Sequence, residues 1–355
     1  MRRLRGLRAV VATTAVLLGF GAASAAAAER LHPSLEVAEA PLADWVARQD
    51  HAPAGSLKDF RITAETAATF RDMLRAMMAG RWPDAVQSGG RIGYGLASIE
   101  EGGTWFVVAG DASGRGREPA IVVNTRPTLD LIVGVPHAAH ERGTPEQAAL
   151  LVAKAGARAA ILSGAHRCAS RSFVACDGRT RVCGARQPYR TSDVAHNPRS
   201  LFHLAHEVMA KAWPGAVVVS LHGMRTDKSG VRTSVILSDG TRTPDPRRKS
   251  YATRLRYKLA EVFRTPGAVV SCEVTADRRY KPRRLCGTTN VQGRHVNGDR
   301  DVCKGGVARG TGRFIHMEQD RSVRRPFERA WVSAGRNTAI DGFLAAVAEV
   351  MPKVE

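Results

Sequence analysis

The sequence predicts an α/β fold on a mostly parallel or mixed sheet, and two observations carry that prediction. Apolar runs at 129–135 and 216–221 have the length and composition of strands buried in the middle of a sheet. Segments of helical character at 144–155, 200–213, 249–263 and 337–350 alternate with strand-like ones, as layered α/β domains require.

The elements follow in order. Residues 29–56 are mixed and rich in proline and alanine, which suggests a loosely packed arm with one short helix near 42–47. Over 63–79, Thr63 can cap a helix whose apolar positions Ala67, Phe70, Met73, Leu74 and Met77 recur at helical spacing. A hairpin is expected next, with strands at 91–99 and 104–109 joined by Glu101-Gly102-Gly103. Short strands at 120–124 and 129–135 precede Thr144-Pro145-Glu146-Gln147. There Thr144 is the expected cap, proline takes the first helical position and glutamine stands three after the cap. Further strands are expected at 159–163, 268–272 and 313–317.

Residues 1–28 have the form of a secretory signal peptide. Arg2, Arg3, Arg5 and Arg8 precede an apolar run at 9–20 and small residues at 21–28. The run is too short to favour a membrane span, so export to the periplasm or beyond is expected, without stable membrane insertion. The formal charge is +20, and removal of the leader would leave about +16. That charge is spread along the chain, which fits a solvated surface better than a dedicated polyanion site. Sparse aromatics, the leader and the absence of a recognised motif argue against nucleic-acid binding.

Six cysteines lie between residues 168 and 303. An exported chain is expected to oxidise them. Near-neighbour pairing would join Cys176 to Cys183 and Cys272 to Cys286, leaving Cys168 with Cys303. No C-x-x-C spacing suggests a cysteine zinc site.

Three apolar strands empty into polar groups that can carry chemistry. LDLIVGVPHAAHERGT delivers His137, His140 and Glu141. VVVSLHG delivers His222. RFIHMEQDR carries His316 and Glu318 on one strand face. Two histidines and a carboxylate form a common open catalytic zinc set, and a further carboxylate can serve as general base. The expected ligands are His137, Glu141 and His222, with Glu318 as base. His140 is the rival to His137, which is preferred because it sits directly at the strand end and Pro136 stiffens its position.

A second cluster, GAHRC followed by YRTSDVAHN, offers His166, Arg167, Asp193 and His196. Arg167 suits a substrate carboxylate. Asp193 suits either substrate binding or the orientation of a ligand histidine, and His196 is an alternative ligand. A third cluster, LCGTTNVQGRHVNG, offers Asn290 and Arg294, the arginine for anion or oxyanion binding. Arg321, three residues after Glu318, can act similarly or pair with Glu318.

The succession PHAAHERGT, AHR, SDVAHN, SLHG, TTNVQGRHVNG and HMEQDRSVR resembles the N-formylglutamate amidohydrolase-like group, allied to zinc carboxypeptidases and poly-γ-glutamate hydrolases. The resemblance spans about 91–344. It implies a three-layer α/β/α phosphorylase/hydrolase-like fold with a mixed central sheet and one zinc. It also places the family's His–carboxylate pair on His137 and Glu141, its later histidine on His222, its base on Glu318, and its carboxylate-binding arginine on Arg294 or Arg167. The spacing here is H-x-x-x-E, where zinc carboxypeptidases use H-x-x-E, and the leader and cysteines set the chain apart from a cytoplasmic enzyme. The expected organisation is a signal peptide at 1–28, an N-terminal arm and helix at 29–90, and a zinc hydrolase-like domain at 91–355. The expected activity is hydrolysis of an amide or N-acyl bond in a small acidic amide, peptide or anionic polymer. The alternative is a binding protein that keeps the fold and lacks the chemistry.

Overall fold

The computed structural model describes residues 31–225, 233–242, 250–274, 276–277, 285–329 and 337–355, so the signal-peptide segment lies outside the described residues. Its strands are β1 (Glu36–Val37), β2 (Tyr94–Glu101), β3 (Thr104–Asp111), β4 (Ala120–Asn124), β5 (Leu129–Val135), β6 (Ala157–Leu162), β7 (Val217–Gly223), β8 (Val235–Ser238), β9 (Val269–Ser271) and β10 (Phe314–Gln319). They form one mixed sheet in the order β1-β2-β3-β4-β6-β5-β7-β10-β8-β9. The central block β6-β5-β7-β10 is parallel throughout, so four carboxyl ends open on one edge. In open α/β sheets this edge is where sites form.

Strand alternation sorts the core into two layers. Leu131, Val133 and Val135 of β5, Val219 and Leu221 of β7, and Ile315 and Met317 of β10 face one side. That side is covered by helices α1 (Leu42–Ala47), α4 (Thr144–Ala153), α6 (Tyr251–Val262) and α9 (Thr338–Val350). Ile132, Val218 and Phe314 face the other, under α2 (Ala64–Met78), α3 (Trp82–Arg91), α5 (Leu201–Ala212) and α7 (Val291–Val296). Two short elements, α8 (Arg321–Arg324) and a 3₁₀ turn (Phe327–Arg329), follow β10. The result is a three-layer α/β/α fold.

Several helices start where the sequence marks them. Thr63, Ser200, Ser250 and Asn337 each accept a backbone N–H of the first turn. Each such cap typically stabilises by about 1 kcal/mol. The start of α4 differs from expectation. Gly143, at φ 90°, occupies the cap position, and the Thr144 hydroxyl instead donates to the Glu141 carbonyl at 2.7 Å. The threonine therefore braces the loop that carries Glu141.

Residues 31–91 are more integrated than an arm. Val37 pairs with Ser98 in the sheet, and Leu35, Leu42, Phe70 and Leu74 are fully buried. α3 was not foreseen, because its WPDAVQSGGR sequence carries two glycines and few apolar residues.

Three disulfides are present: Cys168–Cys183, Cys176–Cys303 and Cys272–Cys286. Only the last matches near-neighbour pairing. The excursion after β6 pairs Phe173 with Arg190 and Thr180 with Gln187, which puts Cys183 in the turn beyond Thr180 and not opposite Cys176. Cys183 thus reaches Cys168, and Cys176 is left for Cys303.

Two predictions follow from these features. By loop-closure entropy, removing Cys176–Cys303, which spans 127 residues, lowers unfolding free energy by about 5 kcal/mol. Removing Cys272–Cys286, separated by 14 residues, lowers it by about 3 kcal/mol. Denaturant unfolding of the two paired Cys→Ser variants checks the order, and non-reducing peptide mapping checks the connectivity. The second prediction concerns His206, 1% exposed in α5, whose pKa burial lowers to about 3 against the bond from its Nδ1 to the Phe202 carbonyl. The folded state keeps His206 neutral, so its contribution is complete above pH 6.5. It is lost as pH falls from 6.5 toward 3, at roughly 1.4 kcal/mol per unit. The His206→Gln variant is expected to lose less stability across that window.

Candidate metal centre

The loop after β5 places two of the expected ligands. Pro136 leads out of the strand, and the His137 carbonyl accepts from the amides of His140 and Glu141, so the chain makes one turn. That turn brings Glu141 Oε1 to 2.9 Å from His137 Nδ1. His222 arrives from β7, with Nδ1 at 3.5 Å from Glu141 Oε2. Ligand atoms of His137, Glu141 and His222 all lie within 4.8 Å of one another, and all three residues are buried.

Each histidine has its far nitrogen engaged. His137 Nε2 meets Asp193 Oδ1 at 2.9 Å, and His222 Nε2 meets Ser220 Oγ at 3.0 Å. Both rings therefore turn Nδ1 toward Glu141 and anchor Nε2 behind. A ring that gives its second N–H to a carboxylate or hydroxyl is the arrangement that orients metal-ligating histidines. The Gly223 amide donates to Glu141 Oε2 at 2.9 Å, which holds the carboxylate between the two rings. Imidazole nitrogens and a carboxylate at these separations fit zinc, with room for further ligands.

The electrostatics follow from these contacts. Burial resists ionisation of Glu141, yet His137 and His222 hold its pKa well below the usual carboxylate range. Burial and Arg167 both work against charging His137, but Glu141 and Asp193 outweigh them and raise its pKa. Burial, reinforced by His316, lowers His222 to about 4, which leaves a neutral imidazole with a lone pair to give. Asp193 is buried too, and Arg167 and His137 pull its pKa far down despite that burial.

Arg167, past the end of β6, gives Nε and Nη2 to Asp193 Oδ2 at 3.1 and 2.7 Å. Its Nη1 edge faces inward, 3.5 Å from His137 Nδ1 and 3.7 Å from Glu141 Oε1. Asp193 is consequently bound to protein on both oxygens. Its geometry is that of a brace for His137, the second of its two expected roles, and not of a substrate contact.

Glu318 lies on β10 in register with His222 on β7, so their side chains share a face. His316 Nε2 is 3.2 Å from Glu318 Oε1, and the His316 ring packs 4.4 Å from that of His222. The Gly287 backbone lies against that ring so closely that an added Cβ would meet Cγ at 2.5 Å. His316 shares the strand face of Glu318 as alternation predicts, but its role was not foreseen. Ser220 was not foreseen at all, although the same period-two signal, two residues before His222, marks it.

His140 and His166 pair at the exposed side of this group. The Cys168 amide donates to His166 Nδ1 at 3.0 Å, so Nε2 carries the proton given to His140 Nδ1 at 3.1 Å. Burial and His140 lower His166 to about 4. His140 Nδ1 is engaged by His166, and it is His137, not His140, whose ligand atom converges with those of Glu141 and His222. His196 stacks on Tyr189 at 3.4 Å between ring centroids and gives Nδ1 to the Thr289 carbonyl, which makes it a packing residue and no ligand.

Three expected site residues are committed elsewhere. Arg294, 1% exposed, donates to both Asp177 oxygens and to the carbonyls of Thr288, Val302 and Gly305, so its guanidinium is a loop clamp. Asn290 caps α7 through the Gly293 amide. Arg321 pairs with Glu328 at the surface and not with Glu318.

No protein-family model matches the chain, and no curated protein matches it. Among solved structures it is similar to a bacteriophage poly-γ-glutamate hydrolase, at 17% identity and a TM-score of 0.35, over 66% of this chain and 88% of that one. It is also similar to an N-formylglutamate amidohydrolase from Ralstonia eutropha JMP134, at 13% identity and a TM-score of 0.35, over 66% of this chain and 95% of that one. These are the two groups the motif order resembles. The functional assignment rests on the site residues.

Replacing Asp193 with asparagine tests the brace. The amide keeps the shape and loses the charge that holds His137 and Arg167. Zinc affinity, read by chelator competition, is expected to fall about 10- to 100-fold. Unchanged affinity would assign Asp193 to loop structure alone.

Proposed function

We propose that the chain is a zinc-dependent hydrolase that cleaves an amide or N-acyl bond of a carboxylate-bearing substrate outside the cytoplasm. One observation carries the reading: the His137, Glu141 and His222 donors converge within 4.8 Å at the carboxyl ends of parallel strands, with Glu318 in register beside His222. Zinc held by such a set would supply Lewis acidity toward a carbonyl and would acidify a water.

The chain's own residues have separable roles. The Glu318 carboxylate accepts the proton of the attacking water and passes it to the leaving nitrogen. His316 fixes the orientation of that carboxylate through Oε1. Arg167, locked by Asp193 on one edge, presents Nη1 to the oxyanion that develops on the scissile carbonyl. The substrate carboxylate meets the mouth of the site, where His140, whose Nδ1 is taken by His166, offers its Nε2–H as a donor. γ-Glutamyl and cell-wall peptides are the leading substrate classes, and the net positive charge of about +16 left after leader removal is compatible with them without singling them out. Three disulfides support an oxidising compartment, and no described helix is long and apolar enough to cross a membrane.

Elemental analysis of wild type beside His222→Ala, together with turnover of an acidic amide panel by wild type and Glu318→Gln, tests the reading. About one zinc per chain is expected in wild type and is expected to be lost in His222→Ala. Glu318→Gln is expected to keep the zinc and lose turnover by about 10²- to 10⁴-fold. Wild type that takes up no zinc would contradict the mechanism. Tight ligand binding without turnover, unaffected in Glu318→Gln, would favour a binding protein.

A further inference from the structure

One guanidinium that no step above employs touches the residue after each of three site groups. Arg324 ends α8 and is 6% exposed. Its Nε donates at 3.1 Å to the carbonyl of Gln319, which follows Glu318. Its Nη1 donates to the carbonyl of Arg142, which follows Glu141. Its planar face lies on Gly223, which follows His222, so closely that a Cβ there would meet Cζ at 2.5 Å and Nη2 at 2.8 Å. The amide of that glycine is the one that holds Glu141 Oε2. Gly143 closes the other side, at φ +90°, where a Cβ would meet the Arg324 carbonyl oxygen at 2.5 Å.

We propose that Arg324 is a positioning residue that fixes the Glu318 strand end against the loop and strand bearing Glu141 and His222. The proposal rests on the reading that His137, Glu141 and His222 hold a metal. An arginine suits the task because its rigid fork joins segments in several directions at once, where an ammonium offers one point of attachment. The contacts also account for two glycines. Gly223 has ordinary strand geometry and needs no glycine for its backbone, but any side chain there would displace the guanidinium. Loss of Arg324 frees three segments that converge on one donor set, so the effect should register in coordination before it registers in folding.

Cobalt(II) serves as the probe, since its visible absorption reports coordination geometry and its affinity can be read by chelator competition. Thermal melts of the metal-free proteins establish that each variant folds. Arg324→Ala and Gly223→Ala are each expected to weaken cobalt binding about 10- to 100-fold and to alter the spectrum. Arg324→Lys is expected to recover melting temperature but not the spectrum. The Gly223→Ala/Arg324→Ala double variant is expected to bind no more weakly than Arg324→Ala alone, because the collision has been removed. Should Arg324→Ala fail to fold, Gly223→Ala and Arg324→Lys carry the same test. Wild type that takes up no cobalt would overturn the metal reading and this proposal together. Wild-type uptake with unchanged affinity and spectrum in the single variants, or strictly additive losses in the double, would overturn this proposal alone.

Discussion

The site depends on a single imidazole clamped between two carboxylates. His137 gives one nitrogen to Asp193 and turns the other to Glu141, at 2.9 Å on each side, with all three groups out of water. Two buried acids flanking one ring would repel each other strongly without further compensation. Arg167 supplies it, by a two-point grip on Asp193 that leaves its third nitrogen facing His137 and Glu141. One arginine thus neutralises the brace and keeps a further guanidinium edge beside His137 and Glu141. A lysine could not do both, because a point charge has no second edge.

The sheet makes this clamp possible. Because β6, β5, β7 and β10 run parallel, Arg167, His137, His222 and Glu318 all emerge on one edge from different strands. Alternation then decides the face. Val218, Ser220 and His222 point together, as do Phe314, His316 and Glu318, so each strand is apolar below and functional above. Close approach is reserved for positions without a side chain. Gly134 admits the His206 ring, Gly223 admits Arg324, and Gly287 admits His316.

Most of this was legible wherever local pattern decides the outcome. Apolar runs gave the central strands, and a polar residue immediately beyond such a run flagged His137 and His222. Alternation placed His316 with Glu318. Contacts between residues distant in sequence were not legible. Arg294 reads as a free cation in a glycine-bearing loop until Asp177, 117 positions away, takes both ends of its fork. Cys176 and Cys183 look like partners until the excursion between β6 and α5 turns Cys183 back to Cys168. Thr144 looks like a cap until its hydroxyl is found on Glu141. Arg324 escaped notice because nothing in RSVRR marks one of its three arginines as buried.

The central claim is that two Nδ1 atoms and one carboxylate converge on a metal. Zinc-edge X-ray absorption of the purified protein tests it most directly. The account predicts a first shell of two imidazole nitrogens and light oxygen donors, at about 2.0–2.2 Å. A sulfur shell near 2.3 Å, a shell without imidazole scattering, or a protein that holds no zinc at all would contradict it.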